Sequence, residues 1–276
     1  MWLAAAFALL LAAACNTDAA APHLARGNVL VNNGKKEEAA QEYREAARLA
    51  PRSALARERL GDTLYDLGRG DDALAAYREA AALETESAFT ARIGAARVLE
   101  EKRDYASARA ELTKGLEKAP TNLFLLLSRG NLAAKAGDRK AALADAEQAV
   151  HLKSDNVPAL YQYGVALLED GQVPQAGATF DRLLNIAPKS PEGYYGRARY
   201  FAARGEGAFA AEALSAAGKL VEADARTRLE EQGLKGAALD KAAHEAARKS
   251  LASMQQDPAF ARWAHDDGFR RGAGWP

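Results

Sequence analysis

The side chain with the most distinctive chemistry in this sequence is a single thiol. Cys15 is the only cysteine in 276 residues, and it closes an unbroken apolar run from Trp2 to Ala14. A lone thiolate is a nucleophile that can be acylated or alkylated, but it can form neither an intramolecular disulfide nor a structural zinc site. As a helix the run would span roughly 20 Å, short of the ~30 Å hydrocarbon core of a bilayer. It therefore predicts a signal-peptide core rather than a transmembrane anchor. The four histidines, His23, His151, His244 and His265, are scattered, with nothing but isolated carboxylates at metal-binding helical spacing. No serine sits in a nucleophile elbow, and the glycines recur as helix breaks, not as a phosphate-cradling GxGxxG or P-loop. The expectation is a protein that is not an enzyme and uses no cofactor and no metal. Lys plus Arg number 37 and Asp plus Glu 37, a balance that excludes nucleic-acid binding by bulk basic charge.

The elements that would carry any site are helices. Ala makes up about a quarter of the chain and aromatics only 7%, a composition suited to closely packed helices. The sequence also repeats. Ala39, Ala73, Ala108, Ala142, Ala176 and Ala210 recur every 34 or 35 residues, each preceded by a small residue at Gly27, Gly61, Ala96, Gly130, Gly164 or Ala198. Between them lies a break at Gly34, Gly68, Gly137, Gly171 and Gly205, with Arg103 as the exception. Four residues past the anchor alanine stand Tyr43, Tyr77, Leu112, Ala146, Phe180 and Leu214, and Pro51, Pro120 and Pro188 close three copies. Each copy reads as two helices joined at a C-terminal glycine, with small residues where the helices approach. One such hairpin cannot bury its apolar face, whereas stacked copies share a core.

The period, the small-residue pair, the large residue and the proline resemble the tetratricopeptide repeat over residues 20–222. The resemblance implies an all-α fold, a right-handed superhelical solenoid of six helical hairpins, followed by a C-terminal capping helical segment over 223–276. Arg26, Arg129 and Arg197 occupy sites where the family usually has Leu; their aliphatic stems can pack while the charged heads reach water. Within the capping segment a helix is expected over 241–256. Asp257-Pro258 then reads as an N-cap with proline in the first turn of a short helix through Trp263, and Phe260, Trp263, Phe269 and Trp275 as cap and packing residues, the alternative being a partner-docking tail.

In this family the first helix of each hairpin lines an inner groove. Carried onto this sequence, the partner-binding row includes Asn28, Tyr65, Arg97 and Asn131, then Tyr161, Val165, Leu168, Tyr195 and Arg199. The first half is polar and the second apolar and aromatic. Tyr161 and Tyr195, 34 residues apart, are either rigid contact residues for a partner or packing between neighbouring helices. The Lys/Asn carboxylate clamp of chaperone-binding members is missing, since the matching sites hold Leu24, Asn28, Arg59, Thr90 and Gly94.

The small residues before Cys15 resemble a bacterial lipobox, which implies 1–14 as signal peptide, Cys15 as the lipidated residue and 15–22 as a short tether. The alternative is an ordinary signal peptide ending at Cys15. By resemblance to enterobacterial lipoproteins, Asn16 favours the outer membrane. The expected protein is an outer-membrane lipoprotein facing the periplasm, similar in architecture to pilotin and other envelope-assembly tetratricopeptide lipoproteins. It would be a non-catalytic scaffold binding a protein or extended peptide, touching the membrane through its lipid only and binding no nucleic acid. A soluble periplasmic binding protein, or a regulator of an envelope enzyme, is the alternative.

Overall fold

A computed structural model describes residues 19–83 and 87–275; the apolar run and Cys15 lie outside the described residues. Regular structure among the described residues is helical throughout. The chain forms two compact units, one up to Ala136 and one from Gly137.

The first unit holds α1 (residues 19–32), α2 (Lys36–Leu49), α3 (Ala54–Asp66), α4 (Gly70–Ala81), α5 (Ser87–Glu101), α6 (Tyr105–Lys118) and α7 (Leu123–Lys135). Residues 19–22, expected in the tether, are already helical, because Ala19 to Ala21 favour helix and Pro22 is tolerated near a helix start. From α2 to α7 successive helices pack against one another, and the first helices of successive hairpins also touch, α3 with α5 and α5 with α7.

Two local devices set the hairpins. Asp104, Ser53 and Asn122 cap their helices by accepting from Ser107 N, Ala56 N and Leu125 N at 3.1, 3.2 and 3.1 Å. The prolines lie two residues ahead of caps, as in Pro51-Arg52-Ser53 and Pro120-Thr121-Asn122. The breaks are left-handed: Gly34 and Gly68 both have φ +74°, and Arg103 keeps the same conformation at φ 59°. At both Gly68 and Arg103 the following amide bonds back to the helix, Arg69 N to Leu64 O and Asp104 N to Leu99 O, each at 2.9 Å. The backbone is thus common to the repeats, and Arg103 adopts it without the glycine that usually permits it.

The anchor alanines are fully buried, with Ala39, Ala73 and Ala108 at 0% exposure. Their paired small residues do more than let helices approach. A Cβ on Gly27 would stand 2.5 Å from the Tyr43 ring, and one on Gly61 2.7 Å from the Tyr77 ring. Gly94, one hairpin on, seats the other side of Tyr77 at 2.5 Å. Each of these three glycines is therefore a seat for a ring, whereas Gly130 is paired with the small Ala146. Where the small residue is Ala96, the partner four past the anchor is the smaller Leu112. Glu111, almost fully buried, is held by Arg78 at 3.0 Å and Arg92 at 3.4 Å. Arg26 sends its head to Glu42 at 3.0 Å, and Arg129 donates to Thr113 at 3.3 Å.

The second unit holds α8 (Arg139–Leu152), α9 (Val157–Glu169), α10 (Val173–Ile186), α11 (Pro191–Ala203), α12 (Gly207–Glu231), α13 (Gly236–Gln255), a 3-10 helix (Pro258–Trp263) and α14 (Asp267–Ala273). The same ring seat recurs, with Phe180 held between Gly164 and Gly196, whose Cβ atoms would lie 2.5 and 2.3 Å away. Ala198 is accompanied by Leu214. The boundary expected after residue 222 falls inside α12, a continuous helix of 25 residues. No helix breaker separates Gly218 from Gly233, so nothing stops the helix at the end of the repeat. The helix expected over 241–256 begins at Gly236. Phe260, Phe269 and Trp275 are buried against Leu214, Ala210 and Met254 in one cluster, with Trp263 partly buried beside them.

Candidate binding face

In the first unit Asn28, Asp62, Arg97 and Asn131 occupy equivalent positions on α1, α3, α5 and α7. Buried tyrosines of the second helices reach across to hold three of them. Tyr43 Oη donates to Asn28 Oδ1 at 2.7 Å, which leaves the Asn28 amide N–H₂ to donate outward. Tyr77 Oη donates to Asp62 Oδ1 at 2.7 Å and accepts from Arg97 Nη2 at 3.2 Å. The Arg97 guanidinium lies 4.0 Å over the Tyr65 ring, a cation–π contact, and Tyr65 donates to Glu101. Burial pushes the Tyr77 phenol well above its ordinary pKa, with the Asp62 hydrogen bond adding to it. The hydrogen bond to Glu101 comes first in raising Tyr65. Both phenols are therefore protonated donors at neutral pH. A hollow of about 340 Å³ lies beside this row, with Asn28, Asn32, Lys36, Arg59, Asp62 and Asp66 among its lining residues.

Two residues outside the expected row share its face. Leu55 precedes Asp62 by seven residues and is 41% exposed; Phe124 precedes Asn131 by seven and is 72% exposed. Two turns apart on a helix is the same face, so the row has an apolar edge toward the helix starts and a polar edge toward their ends. The i, i+7 relation is visible in the sequence and could have found them.

In the second unit the structure brings Tyr161, Tyr195 and Arg199 together, with Val165 and Leu168 half-buried on α9. The Tyr161 and Tyr195 rings stack with centroids 6.5 Å apart and 24° between planes. Neither open contact residues nor packing between repeat helices describes Tyr195 fully, because its partner is the chain's own C-terminal segment. Its hydroxyl donates to Asp257 Oδ2 at 2.5 Å, and its ring lies 6.1 Å from that of Phe260. Arg199 Nε stands 3.4 Å from the same Asp257 oxygen, and Nη2 stands 3.5 Å from Glu169 Oε1. Asp257 Oδ1 also caps the 3-10 helix by accepting from Ala259 N at 2.8 Å. Burial, then the Asp257 hydrogen bond, holds the Tyr195 phenol protonated. Burial opposes the Arg199 charge, but Asp257 foremost among its neighbours outweighs it and keeps the group cationic.

Among the described residues no group of three or more His, Cys, Asp and Glu could hold a metal ion, and no helix is long and apolar enough to cross a membrane.

The geometry agrees with known proteins. Family models described as tetratricopeptide repeat match residues 24–87 and 58–122, and a second such model matches 133–200. No curated protein matches the chain. Among solved structures, YrrB, described as a tetratricopeptide repeat protein with an unusual peptide-binding site, is 25% identical. It covers 71% of this chain and 100% of its own, with a TM-score of 0.51. A tetratricopeptide repeat protein from Parabacteroides merdae is 17% identical over 93% of this chain and 98% of its own, with a TM-score of 0.61. Pseudomonas aeruginosa pilF is 17% identical over 82% and 96%, with a TM-score of 0.58; these last two speak for the fold alone. Repeat period, ring seats and matched segments converge, and the chain belongs to the tetratricopeptide repeat family.

Proposed function

We propose that this protein is a non-catalytic scaffold that binds a partner protein or extended peptide along the first-helix row of its first unit. Proteins of this family are generally interaction scaffolds, and YrrB is described as binding peptide. The observation that carries the reading is the two-edged row. Exposed Asn28, Arg97 and Asn131 offer hydrogen bonds and charge, and Leu55 and Phe124 offer apolar area on the same face. Large apolar side chains left exposed beside polar groups suit a binding surface. Partner capture by crosslinking in the native envelope, followed by mass spectrometry, tests it. Arg97→Ala with Phe124→Ser is expected to reduce capture at least about tenfold, the loss of roughly 1.4 kcal/mol, with helicity unchanged. Full capture by that variant would exclude this face.

The narrower proposal is that the scaffold is an outer-membrane lipoprotein facing the periplasm, acylated at Cys15 and serving the assembly of an envelope complex. Its support is the lipobox-like sequence ending at Cys15. With residues 19–22 helical, only Asn16 to Asp18 separate the lipidated residue from α1. Fully extended these reach roughly 10 Å, so the row would stand close to the lipid surface. Radiolabelled palmitate is expected to label the wild type and not Cys15→Ser. An unlabelled wild type would leave the soluble periplasmic reading.

A further inference from the structure

The aromatic face of the second unit already has an occupant, and that occupant has a readable chemistry. Asp257 accepts two hydrogen bonds, from the Ala259 amide it caps and from the Tyr195 hydroxyl, and forms an ion pair with Arg199, whose Nε stands 3.4 Å away. Three residues on, Phe260 is fully buried and faces the Tyr195 ring, which in turn stacks on Tyr161. An N-cap residue and the residue three positions later lie on one side of a helical turn. A short acid can therefore reach the cation and the phenol while the aromatic enters the apolar seat beside them. The receptor side favours an acid, because Asp257 accepts from the Tyr195 hydroxyl and shares the Arg199 charge with Glu169, and a neutral cap would leave that charge to Glu169 alone.

Two features make the segment releasable. Its first element is a 3-10 helix of six residues, longer than such helices usually run and with poorer hydrogen-bond geometry than an α-helix. Trp275, 6% exposed, buries its indole N–H without an acceptor, which costs the docked state.

We propose that the α9–α11 face is a receptor for a helical turn of pattern Asp-x-x-Phe, filled in cis by residues 257–260. A partner protein presenting that turn binds there by displacing the C-terminal segment. The inference rests on the reading that first-helix rows of this chain bind partners. Tethering in cis gives the resident segment a high effective concentration, so the face stays closed until a competing turn is abundant.

The test uses the full chain and a fluorescein-labelled synthetic peptide with the sequence of residues 254–275. In polarisation titrations, a chain carrying Asp257→Ala and Phe260→Ala, its own turn disabled, is expected to bind the peptide at least about tenfold more tightly than the wild type. Adding Arg199→Gln to that chain, or replacing the peptide's Asp and Phe by Ala, is expected to remove the gain. Hydrogen exchange on the wild-type chain saturated with peptide keeps the test independent of the variants' folding: amides of 258–275 are expected to exchange faster. No binding to either chain, binding indifferent to Arg199→Gln, or bound peptide with unchanged exchange at 258–275 would each overturn the proposal. Partner capture through Arg97 and Phe124 would survive that failure, and its own loss would leave the peptide result standing.

Discussion

Replacing Arg103 by glycine should make the protein more stable, although it deletes a charged side chain and adds backbone freedom. Arg103 is the one non-glycine residue with positive φ among the described residues, at 59°. Its backbone hydrogen bonds match those around Gly68. The left-handed conformation costs an L-residue about 1–2 kcal/mol. Glycine removes that cost but enlarges the unfolded ensemble, returning ~0.5–1 kcal/mol. The Arg103 side chain is exposed and makes no hydrogen bond or ion pair among the described residues, so nothing else is lost. The net expectation is a gain of roughly 0.5–1 kcal/mol. At a urea slope near ~2 kcal/mol/M the midpoint should rise by about 0.3–0.5 M. Gly68→Arg, in the same unit and in the same backbone geometry, should fall by a similar amount. Urea unfolding followed by circular dichroism reads both. A lower midpoint for Arg103→Gly, or no change for Gly68→Arg, would refute the claim that the breaks are interchangeable left-handed caps.

Gly196→Ala should cost more than about 2 kcal/mol, because the Phe180 ring is seated on both sides and cannot retreat. Phe180→Leu in the same chain should recover part of the loss, and a cost for Gly196→Ala below ~0.5 kcal/mol in urea unfolding would contradict the seat. The His23 hydrogen bond, followed by that of Arg26, holds the Glu42 carboxyl below its ordinary pKa. A depressed carboxylate stabilises above its unfolded value, near 4.5, and loses that contribution as pH falls through the folded value. The urea midpoint should thus drop as pH is lowered from about 5 toward 3, and drop less in Glu42→Gln; equal slopes would exclude Glu42 as a contributor.

The hairpins were legible because their determinants are local: a glycine at every turn but that of Arg103, a cap, an alanine at each crossing. The pairing of Gly with an aromatic and of Ala with Leu, as in Gly61–Tyr77 against Ala96–Leu112, was also in the sequence in every copy but Gly130–Ala146, and only volume reasoning across two helices exposes it. The second half of the binding row was less legible. Tyr161 and Tyr195 sit at repeat-equivalent positions, yet what Tyr195 touches is set by Asp257, 62 residues away, and no periodicity reports a contact at that range. The end of the last repeat was obscured for the opposite reason, since α12 runs on through residues with no preference for stopping.

The ring seats have a consequence for how such chains can be recombined. Tyr77 belongs to one hairpin by its backbone, yet one of the two glycines that admit it, Gly94, is carried by the next; Phe180 and Gly196 repeat the arrangement. Duplicating or transplanting a hairpin at its own turns would separate a ring from half of its socket. The smallest exchangeable module is out of phase with the hairpin: it runs from one first helix through the following first helix. Crossovers inside a first helix, beyond its glycine, should yield folded chimeras more often than crossovers at the loops.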